Sequence, residues 1–161
     1  MRRLLLALAL IGTAMWSGPV LAQDFAKGFE AYERGDYATA VQELRPLAEM
    51  GNADAQFHLG AMYQNGLGVI QDYVEAERWL RLAAEQGVAR AAFFLSGMYY
   101  LGNGVKEDKV LSYMWANIAA ALGEKFAASN RNAMKWLLTP AQLAEAQRLS
   151  RECVAKDYKG C

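Results

Sequence analysis

Residues 53–87 read ADAQFHLGAMYQNGLGVIQDYVEAERWLRLAAEQG, and residues 89–123 read ARAAFFLSGMYYLGNGVKEDKVLSYMWANIAAALG. Shifted by 36 positions, the first lands on the second. Ala55 falls on Ala91, Leu59 on Leu95, Met62 and Tyr63 on Met98 and Tyr99. Gly66, Gly68 and Val69 fall on Gly102, Gly104 and Val105; Asp72 falls on Asp108, Trp79 on Trp115 and Gly87 on Gly123. A fixed period of this size marks stacked supersecondary units, each too small to bury its own apolar faces.

The recurring residues are those a helical hairpin needs. Ala55, Leu59, Met62 and Tyr63 fall at helical spacing and make one apolar stripe. Gly66 ends that helix, where a left-handed residue is cheap only for glycine. Asp72 is placed to cap the next helix, and Glu75 three residues later suggests a capping box. Ala76, Trp79, Leu80, Ala83 and Ala84 form the second stripe, and Gly87 closes it.

In these residues the chain resembles the Sel1-like repeats, relatives of the tetratricopeptide repeats. The pattern is A-x-x-x-L-G-x-x-Y-x-x-G-x-G-V-x-x-D, then A-x-x-W, then A-A-E-x-G. The first unit matches nearly in full; the second departs at Ser96 for glycine, Ser112 for alanine and Ala121 for glutamate. These are exchanges of small for small, or on the surface. The resemblance implies an all-α fold, a short right-handed solenoid of helix-turn-helix units, here ending in a C-terminal capping hairpin.

Outward from this core, residues 1–22 read as an export signal. Arg2 and Arg3 precede an apolar run from Leu4 to Met15, and Val20-Leu21-Ala22 offers a small-residue cleavage site. The run is short for a permanent span, and an uncleaved anchor is the alternative. No cysteine follows to take a lipid. The expected location is the periplasm or the exterior of a bacterial cell, with no stable membrane span after cleavage. Removing two arginines from a chain of net charge +0 leaves it mildly acidic, giving no general footing for nucleic acid.

Residues 23–52 read as a divergent first repeat carrying Gly35-Asp36-Tyr37, Ala40, Leu44, Ala48 and Gly51. The G-x-G-V loop is missing there, and Pro46 is expected to kink the second helix, or else to restart it. Residues 53–88 and 89–124 are the two full units. Residues 125–161 form a terminal cap. Ala127 and Met134 keep the register for one more helix, and Thr139-Pro140 with Gln142 starts the last one, ending near Ala155. Cys153 and Cys161 are the number expected for one bridge in an exported chain. It would close a nine-residue loop and pin the tail to the last helix, worth about 2.5 kcal/mol by loop entropy.

No catalytic, cofactor or metal set emerges. His58 is the lone histidine, with no cysteine near it in sequence to complete a ligand set. The Gly66-x-Gly68 and Gly102-x-Gly104 loops follow helices and lack a Lys-Ser/Thr ending, so their recurrence speaks of turn geometry rather than phosphate binding.

Function therefore points to surface. In tetratricopeptide repeats, set positions on the first helix of each unit line a concave groove that holds peptides. Carried over by resemblance, these are Phe25, Phe29 and Tyr32 in the divergent unit. In the first full unit they are Asp54, Phe57, Ala61, Gln64 and Asn65, and in the second Arg90, Phe93, Gly97, Tyr100 and Leu101. The run of aromatic residues among them suits a binding hot spot, and equally suits packing between neighbouring first helices. The expected role is an exported adaptor for a protein or peptide partner, with no cofactor. The alternative is a cell-wall or β-lactam-related activity, as in a cysteine-rich branch of the family. Against that, the repeats here hold no cysteine and no Ser-x-x-Lys motif stands out.

Overall fold

The computed structural model describes residues 18–161, with side chains from Phe25 onward. The leader expected over residues 1–22 lies mostly outside the described residues; Gly18 to Ala22 continue the first helix. The described residues form eight α-helices and no strand. They are α1 (Gly18–Glu33), α2 (Tyr37–Glu49), α3 (Ala53–Asn65), α4 (Tyr73–Ala84), α5 (Ala89–Leu101), α6 (Lys109–Ala121), α7 (Ala127–Met134) and α8 (Pro140–Ala155). A short 3₁₀ turn, Lys135–Leu137, follows α7. Consecutive helices pack on each other from α1 to α7, as expected of stacked hairpins.

Each boundary has a local cause. Asp36, Asp72 and Asp108, at the repeat spacing, accept hydrogen bonds from backbone N–H groups at the starts of α2, α4 and α6. Glu75 does not complete a capping box. The Asp72 N–H already donates to the Tyr63 carbonyl at 3.0 Å, and the Glu75 carboxylate pairs with Arg78. Asp108 likewise donates to the Tyr99 carbonyl at 2.9 Å, so the tie belongs to the repeat. Thr139 and Gln142 do form a full capping box on α8. α2 runs through Pro46 without restarting, its ring on the exposed side.

The core is a chain of linked clusters. The first gathers Leu44, Leu47, Leu59, Met62 and Trp79, the second Leu80, Leu95, Met98, Trp115 and Ile118. A third closes the stack with Tyr113, Ala116, Met134 and Ala146. Two ties cross successive hairpins in the same register. Arg45 donates to the Tyr63 hydroxyl at 3.0 Å, and Arg81, 36 positions on, donates to the Tyr99 hydroxyl at 2.7 Å.

The departures of the second unit form one packing unit. A Cβ on Gly60 would meet Leu80 Cγ at 2.8 Å. One period later Ser96 replaces that glycine, and Ala116 replaces the leucine. In the space so made, the Ser112 hydroxyl donates to the Ser96 carbonyl at 2.6 Å, and both hydroxyls lie under Met134 Sδ. Both serines are fully buried, so pairing them removes the cost of an isolated buried hydroxyl.

The end cap is built differently from a repeat. α7 is only eight residues long and buries just Ala127 and Met134, too narrow a stripe to hold a partner helix. α7 and α8 therefore both pack on α6, not chiefly on each other. Cys153 and Cys161 are bonded, and the tail turns back through left-handed Asp157 and Tyr158, with the Tyr158 N–H on the Cys153 carbonyl. The tail also reaches across to the first full unit, where the Gly160 N–H donates to Glu85 Oε1 at 3.1 Å. Glu145, Arg148 and Glu152 form an ion-paired outer face on α8.

Candidate functional site

The first helices of the units, α1, α3, α5 and α7, bear three clefts. One, of about 260 Å³, lies between α1, α3 and α5 and is lined by Phe29, Tyr32, Glu33, Phe57, His58, Ala61, Asn65, Arg90 and Phe94. A second, of about 230 Å³, is lined by Gln64, Phe93, Phe94, Gly97 and Asn130. A third, of about 310 Å³, lies against α7 and is lined by Gly97, Tyr100, Leu101, Asn130, Ala133, Met134 and Leu137. Phe94 is a wall of both the first and second; Gly97 and Asn130 are walls of both the second and third. Shared walls make them one trough across four helices.

The carried-over positions distribute unevenly in it. Phe29, Tyr32, Phe57, Ala61, Asn65 and Arg90 come together in the first cleft, Gln64, Phe93 and Gly97 in the second, Tyr100 and Leu101 in the third. Phe25 lines none of them; its ring stacks on Phe29 at 6.0 Å and packs on the core of the first hairpins. Asp54 is exposed in the first turn of α3 and acts on the trough only through its charge. Phe57 is as much core as wall: it is 3% exposed and meets Phe94 edge to face. Tyr100 and Leu101, at 41% and 65%, are open to a partner.

The sequence reading missed Phe94, Asn130, Ala133, Met134 and Leu137 as walls. The signal was present: Asn130, Ala133, Met134 and Leu137 stand one period beyond Phe94, Gly97, Met98 and Leu101. It also left His58 without a role. His58 occupies the repeat position that Phe94 occupies one unit later. Its ring lies 5.1 Å from Phe29, 5.2 Å from Tyr32 and 5.1 Å from Phe57, each edge to face, and it is 8% exposed. Its Nδ1 is sealed from solvent and has no hydrogen-bond partner.

Burial, reinforced by the nearby Arg90 guanidinium, holds the His58 imidazole below its ordinary value of 6.5; Asp54 opposes the shift. The folded protein thus binds fewer protons than the unfolded chain as pH falls below 6.5. The share of stability that depends on a neutral His58 is then complete above that value and is lost on acidification. Between about pH 7 and pH 5.5, the range where a histidine titrates, melting temperature should fall with pH. The slope should not exceed about 1.4 kcal/mol per pH unit. His58→Phe, which installs the next unit's residue, should flatten the profile in that window. Thermal melts of both proteins across it check this.

Among the described residues, no group of three or more His, Cys, Asp or Glu is placed to hold a metal ion. No described helix is long and apolar enough to cross a membrane.

Stacked helical hairpins with a trough along their first helices define a solenoid of the tetratricopeptide kind. The chain matches the Sel1 repeat over residues 53–88 and again over residues 89–124, so this central segment belongs to the Sel1-repeat family. A protective antigen of uropathogenic Escherichia coli with an SLR fold is 32% identical and superposes with a TM-score of 0.81 over 86% of the chain. A Sel1 repeat protein from Oxalobacter formigenes is 44% identical over 56% of the chain, with a TM-score of 0.55. The chain spans only 30% of the former and 26% of the latter. No curated protein is significantly similar to it. Sel1 repeats generally serve as non-enzymatic scaffolds for protein–protein interaction.

Proposed function

We propose that the protein is an exported interaction module that holds a segment of a partner protein, extended or helical, along the first-helix trough. The observation that carries this reading is the continuity of the trough: three clefts with common walls run across α1, α3, α5 and α7. A single small ligand has no use for such length, whereas a chain segment does. Half-buried and exposed rings of Phe93 and Tyr100 supply large contact area at low entropy cost. The leader-like pattern of residues 1–22 and the Cys153–Cys161 bridge support the exported part of the reading.

Phe57 is unsuited to test the trough, because its removal would damage the core. Phe93→Ala and Tyr100→Ala are the better probes. Each should weaken partner binding by about 2 kcal/mol, roughly thirtyfold in Kd, while circular dichroism stays unchanged. The measurement compares proteins retained from envelope extract by wild type and by the double variant, followed by titration of the retained species. Equal retention and equal Kd would place the binding surface elsewhere.

A further inference from the structure

We infer that the cleft between α1, α3 and α5 is an anchor pocket for one neutral aromatic side chain, tyrosine, whose hydroxyl meets His58. The inference rests on the trough reading above and adds the chemistry of its end.

Size comes first. The cleft holds about 260 Å³, and an engineered cavity of roughly 150 Å³ already accepts benzene, so one ring enters with room to spare. Shape follows from the walls. Phe29, Tyr32, Phe57 and Phe94 present rings, which pack best against another flat ring, edge to face or offset.

Charge narrows the choice further. Arg90 lies over the Phe57 ring with its guanidinium carbon 4.5 Å from the centroid. It occupies that π face and would repel a cationic occupant. Glu33 stands on the same cleft and repels an anionic one. With one charge of each sign on the cleft, neither ion gains a net attraction to repay its desolvation, and a neutral ring has none to repay.

The hydroxyl requirement comes from His58. It is more than nine-tenths buried and lines the cleft. Nδ1 is sealed off and unbonded, and Nε2, which is not sealed, has no hydrogen bond among the described residues. Nε2 is thus the ring atom left for an occupant of the cleft: an apolar ring leaves it unpaired, whereas a phenol hydroxyl pairs with it as donor or as acceptor, whichever tautomer His58 holds. The repeat itself favours a dedicated role: the equivalent position one unit on is Phe94, so packing alone is met by phenylalanine. The partner is a protein segment rather than a free aromatic molecule because Phe94 continues as a wall of the adjoining cleft, giving the chain on one side of the anchor a path.

His58 is the one histidine in the sequence, so its ring nitrogens give unambiguous NMR signals. The purified protein, ¹⁵N-labelled, is titrated with N-acetyl-tyrosinamide, N-acetyl-phenylalaninamide and N-acetyl-glycinamide. Expected is a saturable shift of the His58 ring signals with the tyrosine probe. The phenylalanine probe should bind about five- to tenfold more weakly, the worth of one hydrogen bond, and the glycine probe should cause no shift. Ala61→Leu, which fills the cleft from its floor, should abolish the shift.

No shift with the tyrosine probe, or equal affinity for the two aromatic probes, overturns the inference. So does a shift that survives Ala61→Leu in a folded variant. Should Ala61→Leu unfold, the three-probe series on the wild type still decides. A silent His58 alongside lost partner binding in the Phe93 and Tyr100 variants removes the anchor and leaves the trough. Saturable tyrosine binding with undiminished partner retention does the reverse.

Discussion

Gly104→Ala should destabilise the protein by about 3 kcal/mol or more, while Gly123→Ala, at a residue of similar backbone conformation, should cost only about 1–2 kcal/mol. Gly104 has φ of 72° and Gly123 of 89°, both in the left-handed region where a Cβ strains the backbone. They differ in what the Cβ meets. At Gly123 there is nothing within 4 Å, so only the conformational cost remains. At Gly104 the new atom would stand 2.4 Å from the Tyr73 carbonyl oxygen and 2.5 Å from its carbon. Those are backbone atoms in the first turn of α4, and they cannot rotate away as a side-chain tip could. The loop must lift or α4 must move, and either loosens the joint between the two full units. Gly68 stands one period earlier against the Tyr37 carbonyl at the same 2.4 Å, so Gly68→Ala should behave like Gly104→Ala. Urea denaturation of the three single variants measures the contrast; equal losses at Gly104 and Gly123 would mean that close approach contributes nothing.

This pair of contacts also shows what the sequence could and could not say. That Gly66 and Gly102 end first helices, and that Gly68 and Gly104 belong to the turns after them, is legible from their place after an apolar stripe and from their recurrence. That the second glycine of each loop touches the start of the preceding unit's second helix is a contact between units, which no local pattern encodes. The same division runs through the molecule. Asp72 as a cap was readable; Glu75 failing to complete the box was not, because its target N–H is taken by a carbonyl nine residues away in the chain. Ser96 and Ser112 read as two separate departures from the repeat, and only packing reveals that they meet and that Ala116 gives them room. The end cap was legible as two helices with a bridged tail. Its packing on α6 and its reach to Glu85 were not, since α7 and α8 have left the register that made the units comparable. In the trough, positions carried over from the related repeats found most of the walls on α1, α3 and α5. They missed His58 and Phe94, which face inward at a position the resemblance does not assign to the groove.

Trp115→Ala should cost about 3–5 kcal/mol, enough to lower the melting temperature by roughly 10 °C, whereas Trp115→Phe should cost no more than about 1–2 kcal/mol. Trp115 is fully buried at the centre of the larger core cluster, among Leu80, Leu95, Met98 and Ile118. Truncation to alanine leaves a void that rigid helices on all sides cannot close, so the lost transfer energy and the cavity add. Phenylalanine keeps most of the volume. What it gives up is the indole N–H, and that group has no partner: Nε1 is buried and unbonded in Trp115, as it is in Trp79 one period earlier. Removing an unsatisfied donor offsets part of the smaller void. The repeat therefore uses tryptophan for its size, not for its hydrogen bond. Arg81 makes the point sharper. It lies 5.7 Å from the Trp115 ring centroid yet spends its donors on Glu77 and the Tyr99 hydroxyl, and it needs only a π face from residue 115. A phenylalanine supplies that face, so the Arg81–Tyr99 tie between units should persist in Trp115→Phe and be lost in Trp115→Ala. Melting curves of Trp115→Phe and Trp115→Ala, each with and without Arg81→Met, separate the two contributions. Equal losses in the two tryptophan variants would show instead that only the full indole volume holds the joint.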